Sequence, residues 1–144
     1  MRYRRQIVVD RDPASTFRYL ADFENAAEWD PGIVSARRLS TGPTTVGSRF
    51  EVTTRFRGNQ QVFDYVVTAF EDGRRIALTG DGDKAKSDDV ITVEDAGGRS
   101  RVTYEADVGL KGVYRLVEPF LRSTFRRMAD DALDGLQTKL GALG

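Results

Sequence analysis

Four dipeptides, Gly58-Asn59, Asp72-Gly73, Gly82-Asp83 and Gly97-Gly98, punctuate the middle of this chain at intervals that leave one strand's length between neighbours. Such pairs favour two-residue hairpin loops, because Gly, Asn and Asp adopt the positive φ that these loops require. The β-rich runs that they separate, residues 47–57, 60–71, 74–80, 84–95 and 99–110, are therefore expected to run antiparallel as a meander. Two further runs, 4–10 and 33–39, bring the expected strands to seven.

The position of a two-residue loop fixes which residues oppose each other, and side chains alternate between faces. A loop at Gly58-Asn59 sets Phe56 opposite Gln61, Thr54 opposite Phe63, Val52 opposite Tyr65 and Phe50 opposite Val67. Asp72-Gly73 pairs Val67 with Leu78 and Ala69 with Ile76, and Gly82-Asp83 brings Ile76 to Asp89 and Leu78 to Ser87. Gly97-Gly98 pairs Val93 with Val102, Ile91 with Tyr104 and Asp89 with Ala106. All four registers put Phe50, Val52, Phe63, Tyr65, Val67, Ile76, Leu78, Ile91, Tyr104, Ala106 and Val108 on one apolar face. Glu51, Arg55, Asp64, Arg75, Glu94, Arg101, Glu105 and Asp107 fall on the other, the expected solvent side.

Between the first two strands, Asp12 can cap a helix that Pro13 opens, since proline gives up an N–H that had no partner there. Phe17, Leu20 and Ala21 share its buried face. A second short helix and a turn follow, carrying the only tryptophan, Trp29, and the sequence Asp30-Pro31-Gly32. Trp29 reads foremost as a plug at the open end of the sheet, and alternatively as a wall of a cavity entrance. Over residues 113–140 the pattern turns helical, with Val117, Leu121, Thr124, Met128, Ala132, Leu136 and Leu140 along one stripe. Pro119 either begins the regular part of this helix or kinks it.

Several classes of chemistry are excluded. With no cysteine and no histidine, the chain offers no thiol nucleophile, Ser-His-Asp triad or histidine base, and no zinc site is expected. No GxGxxG or GxxxxGK[ST] motif occurs. Asp81-Gly82-Asp83 resembles the opening of a calcium loop, but Ala85 stands where the third oxygen ligand belongs, so a hairpin turn is expected. Neither a cofactor nor a metal is expected. Lysine plus arginine equals aspartate plus glutamate at 22 each, which leaves little net charge to attract nucleic acid. The arginine groups Arg37-Arg38, Arg55 with Arg57, Arg74-Arg75 and Arg122 with Arg126 and Arg127 read as solvated charges, or alternatively as a docking surface for an acidic carrier protein. No apolar run is long enough for a bilayer, and residues 1–5 lead into a strand rather than a signal-peptide core. One cytoplasmic domain over residues 1–144, without integral membrane association, is the expectation.

The order of strand, two short helices, six antiparallel strands and a long helix resembles the α+β helix-grip fold of the START/Bet v 1-like (SRPBCC) superfamily, in which a curved sheet wraps a C-terminal helix. The closest resemblance is to its polyketide cyclase/dehydrase branch of small bacterial proteins. It is carried by Pro13-Ala14-Ser15-Thr16-Phe17-Arg18-Tyr19-Leu20-Ala21-Asp22, Trp29-Asp30-Pro31-Gly32, Gly47-Ser48-Arg49-Phe50, and Arg101-Val102-Thr103-Tyr104-Glu105-Ala106-Asp107 leading to Glu118-Pro119-Phe120-Leu121. The resemblance implies a cavity between sheet and helix that holds an apolar or polyaromatic molecule. It implies no shared catalytic motif.

On the residues themselves, the expected cavity has a volume on the order of 300 Å³ or more. Phe50, Thr54, Phe56, Phe63, Tyr65, Ile91 and Tyr104 are expected to line it, facing Phe120, Thr124 and Met128 of the helix. Asp89 is the exception in chemistry: two registers aim it at the apolar face beside Ser87 and near Tyr104. A buried carboxylate must be hydrogen-bonded, protonated or turned to a wet cavity. With histidine absent, Asp89, Tyr104 and Tyr65 are the candidates for moving a proton or holding a carbonyl. The alternative is a bulge at Ser87-Asp88-Asp89 that sends Asp89 to solvent.

Three functions fit. The first is binding or transport of a small hydrophobic, aromatic or lipid-like ligand. The second is an aromatase/cyclase-type enzyme folding a poly-β-ketone, with an acyl carrier protein as partner. The third is a protein-interaction module, and a homodimer is compatible with any of them.

Overall fold

The structure, a computed structural model, describes residues 1–143. Its strands are β1 (Arg2–Val9), β2 (Ile33–Arg38), β3 (Arg49–Phe56), β4 (Asn59–Glu71), β5 (Arg75–Asp81), β6 (Ala85–Ala96) and β7 (Arg99–Leu110). They form one antiparallel sheet in the order β1-β7-β6-β5-β4-β3-β2. The helix α1 (Pro13–Ala21), a 3₁₀ turn over Phe23–Asn25 and the short helix α2 (Ala26–Trp29) connect its two edge strands. Asp12 caps α1 by accepting a hydrogen bond from the Ser15 N–H at 2.9 Å, and Pro13 is its first residue. Phe17, Leu20 and Ala21 are buried beneath it, as the periodicity predicts, and Thr16 is buried with them.

The hairpins test the registers one by one. Gly97 and Gly98 both have positive φ, and β6 pairs with β7 as expected, Ile91 opposite Tyr104 and Asp89 opposite Ala106. The β3–β4 loop is Arg57-Gly58 rather than Gly58-Asn59, with φ of 51° and 82°, so Phe50 faces Tyr65 and Val52 faces Phe63. The β5–β6 connection is also displaced, which sets Leu78 opposite Asp89 and Ile76 opposite Ile91. Between β4 and β5, Val67 faces Leu78 as expected, but a bulge before Ala69 puts Phe70 rather than Ala69 opposite Ile76. The two displaced registers are each off by two residues. A slip of two leaves every side chain on its own face, whereas a slip of one would reverse them all. The expected concave face is therefore intact: Phe50, Val52, Ile76, Leu78, Ile91 and Val102 are all but inaccessible. Asp81 ends β5 and Gly82-Asp83 lies in the hairpin turn that follows, and the Lys111 ammonium donates to the Asp81 carboxylate.

After β7, Gly112–Val117 is 3₁₀ helix, and the long helix α3 runs Glu118–Leu143. Pro119 thus opens the regular helix instead of kinking it. The C-terminal half of α3 packs through Ala132, Leu133, Leu136 and Leu140. At Gly135 it crosses α2 so closely that any Cβ there would run into the Trp29 carbonyl oxygen. This contact sets the height of α3 over the sheet and leaves space under its N-terminal half. No helix is long and apolar enough to cross a membrane among the described residues.

Candidate functional site

The space between the concave face and the N-terminal half of α3 is a cavity of about 210 Å³. That is smaller than the volume expected from the sequence, because Leu121, Phe125, Met128 and Ala129 of α3 reach down into it. Its sheet wall comes from alternate positions of four strands: Thr54 and Phe56 on β3, Phe63 and Tyr65 on β4, Ser87 and Asp89 on β6, Tyr104 and Ala106 on β7. Tyr3 of β1 and Trp29 of α2 complete it, and the Trp29 ring meets Tyr104 edge-on, 6.0 Å between centroids. Two glycines set the depth of the aromatic wall. Gly80, opposite Tyr65 in the register, has no room for a Cβ because the Tyr65 ring lies over it, and Gly82 is covered in the same way by Phe63.

One end of this apolar space is polar. Asp89, 5% exposed, receives hydrogen bonds from the Ser87 hydroxyl on Oδ1 and the Tyr104 hydroxyl on Oδ2, each at 2.5 Å. Ser87, Asp89 and Tyr104 converge because Ser87 and Asp89 are two apart on β6, and Tyr104 sits diagonally across on β7. No bulge interrupts this stretch, so Asp89 points inward rather than to solvent. The Tyr65 hydroxyl lies beside Ser87. Asp30 enters from the turn after α2. Its Oδ1 accepts the Gly32 N–H at 2.8 Å, an Asx turn that fixes the side chain, and Gly32 is wedged so tightly that a Cβ would meet Asp30 Oδ1 at 3.2 Å and Met128 Cε at 3.3 Å.

Burial pushes both carboxyls up to about 6, because water no longer solvates the charged form. For Asp30 the Gly32 N–H opposes this shift, while the charges of Asp89 and Asp131 add to it. For Asp89 the Ser87 and Tyr104 hydroxyls oppose it and Asp88 adds. Burial raises the Tyr65 and Tyr104 phenols well above their usual range, with the Asp89 charge as the second cause, so both stay protonated donors. The cluster can thus hold or release a proton near neutrality and can donate hydrogen bonds to a ligand oxygen.

Of the residues singled out from the sequence, Thr54, Phe56, Phe63, Tyr65, Asp89, Tyr104 and Met128 line the cavity. Phe50 does not. It is fully buried elsewhere, packed on Phe23 at 6.1 Å with the Arg38 guanidinium 5.0 Å from its ring. Ile91 is likewise fully buried in the packed core, outside the cavity wall. Phe120 is 79% exposed, and Thr124 is half-buried outside the lining. The face of α3 turned to the sheet is Leu121, Phe125, Met128, Ala129, Ala132 and Leu133, which keeps Leu121, Met128 and Ala132 of the expected stripe, puts Phe125 in the place of Thr124, and leaves Phe120 outside. Asp30 was not singled out. An Asp-Pro-Gly run signals a turn, and only the crossing of α3 over α2 buries its carboxyl.

A profile of the family described as polyketide cyclase / dehydrase and lipid transport matches residues 1–141. The chain belongs to this family. No curated protein matches the sequence. A protein of Thermus thermophilus superposes with a TM-score of 0.84 at 14% identity, over 100% of this chain and 99% of the other. The Zhui aromatase/cyclase from a Streptomyces species superposes at 0.81 with 11% identity, over 97% and 93%. A START superfamily protein from Mycobacterium smegmatis superposes at 0.74 with 18% identity, over 96% and 98%. At such identities the likeness establishes the fold, which is the helix-grip architecture expected from the sequence.

Proposed function

We propose that this family member binds a small, largely apolar molecule between its sheet and α3, with the ligand's polar end against Ser87, Asp89, Tyr104 and Asp30. The observation that carries the reading is the cavity itself: an aromatic and aliphatic wall around about 210 Å³, with polar groups at one end. Apolar walls supply affinity through surface removed from water, and a few placed polar groups supply orientation. A native mass spectrum of freshly purified protein is expected to show a retained small molecule, and naphthalene is expected to bind the emptied protein and raise its melting temperature. Ala106 lies opposite Asp89 on the cavity wall, so Ala106→Trp fills the space and is expected to abolish both effects. Absence of any retained molecule, with no naphthalene binding by the wild type, overturns the reading.

A cyclase-type reaction is the second reading, favoured by two carboxyls that titrate near neutrality beside two phenolic donors. There Asp30 or Asp89 would take a proton from an activated carbon of a poly-β-ketone while Tyr104 or Tyr65 donates to its carbonyl oxygen. Turnover of a poly-β-ketone analogue, lost in both Asp30→Asn and Asp89→Asn, would select this reading over passive binding. Delivery of the substrate by an acyl carrier protein belongs to this reading alone.

A further inference from the structure

Two carboxyl groups reach one cavity from opposite sides, Asp89 from β6 and Asp30 from the turn after α2. Neither has an ion-pair partner among the described residues, and no lysine or arginine side chain lines the cavity. The charged groups that act on the pair are all acidic: Asp88 beside it on β6, Asp131 from α3, and Asp89 upon Asp30. The ammonium of Met1 also borders the cavity, but it is engaged by the Val108 carbonyl, Glu118 and Asp107. Asp89 is nine-tenths buried, so its charge has hydroxyl donors but no counter-ion. An uncompensated buried charge is costly, and a cation brought in by a ligand removes that penalty. The remaining wall is aromatic, with Trp29, Phe63, Tyr65, Tyr104 and Phe125 around the space. The faces of such rings attract organic cations, the more so where water is excluded.

We infer that the ligand of this cavity carries an organic cation, a protonated amine, seated between Asp30 and Asp89 with its apolar body against the aromatic wall. This deepens the binding reading above and rests on it. A neutral ligand leaves two mutually repelling carboxyls with one another for company, whereas an ammonium forms charge-assisted hydrogen bonds to both. An anionic ligand adds a third negative charge and is excluded.

Two probes of equal shape, naphthylmethylamine and naphthylmethanol, separate the claims by calorimetric titration. The amine is expected to bind at least about tenfold more tightly than the alcohol at pH near 8. Asp30→Asn and Asp89→Asn are each expected to reduce the amine-to-alcohol affinity ratio at least about threefold, with a cooperative thermal transition reporting that each variant is folded. Should a variant fail to fold, the wild type alone decides. Its amine-to-alcohol preference should rise between pH about 5 and 7.5, because both carboxyls ionise around 6 while an alkyl ammonium stays charged. Equal binding of the two probes, or a preference that neither variants nor pH alter, overturns the cationic ligand and leaves the apolar-binding reading standing. Failure of both probes to bind overturns the two together.

Discussion

Gly80→Ala adds a single methyl group where the aromatic wall has no space for it. The new Cβ would lie 2.5 Å from Tyr65 Cζ and 2.7 Å from both of its Cε atoms. Ordinary contact begins at 3.4 Å, so the ring must lift by about 0.9 Å, the difference between 3.4 and 2.5. Phe23, 5.0 Å away, and Phe63, 6.2 Å away, hem the ring on its flanks, so the free direction is into the cavity. Overpacking of this kind costs about 1–3 kcal/mol, and replacing a strand glycine by alanine returns roughly 0.5–1 kcal/mol of backbone entropy. The net expectation is a loss of about 1–2 kcal/mol, or roughly 3–6 °C in melting temperature for a chain of this size. Gly109, on β7 with nothing within 4 Å of its Cβ position, is the control. Gly109→Ala is expected to be neutral or slightly stabilising. Urea unfolding of both variants gives the free energies, and naphthylmethanol titration shows whether the lifted ring has narrowed the cavity. If Gly80→Ala matches Gly109→Ala in stability and binds the probe like the wild type, the Tyr65 ring does not rest on Gly80 as described and the reasoning fails.

Two further outcomes follow from the same packing. Asp89 has a folded value near 6, above the 3.8 of an unperturbed aspartate, so the folded state holds the extra proton between those values and stability falls as pH rises through them. The loss by neutral pH is on the order of 3 kcal/mol. Asp89→Asn should flatten this part of the stability profile, and a wild type equally stable at pH about 4.5 and 7 would refute the burial argument. Gly135→Ala should be destabilising despite the roughly 1 kcal/mol that alanine gains in a helix, because its Cβ meets the Trp29 carbonyl, whereas Gly141→Ala in the same helix has nothing within 4 Å. Equal thermal stability of the two variants would show that α2 and α3 do not touch at Gly135.

The concave face was readable from the sequence although two registers, and part of a third beyond the bulge at Ala69, were not. Loop position at Arg57-Gly58 depends on a non-glycine residue adopting φ of 51°, which no propensity favours, yet the resulting slip of two residues kept Phe63 and Tyr65 inward. Asp89 faced inward for the same reason. The helix stripe is legible but its edges are not: Leu121, Met128 and Ala132 face the sheet as their spacing indicates, whereas steps of three and four from Leu121 lead equally to Thr124 and Phe125, and it is Phe125 that lines the cavity. The second carboxyl was hidden for a different reason. Asp30 and the α3 residues above it are far apart in the chain, and their meeting depends on the helix crossing at Gly135, a tertiary contact that leaves no periodic trace.

The pairing of β1 with β7 bears on how the molecule comes together. Gln6 and Thr103 are partners in the sheet yet lie 97 residues apart in sequence. Closing a loop of that length costs about 4 kcal/mol of chain entropy before any contact rewards it. The local hairpins from β3 through β7 carry no such burden, so the expected order has them forming before β1 docks onto the meander. Since α3 rests on β1 and on α2, the lid over the polar cluster settles after that docking. Before that, Asp30 is expected to be in water with the ordinary acidity of an aspartate. On this order the raised affinity of the pair for a proton is expected to arise only as α3 settles.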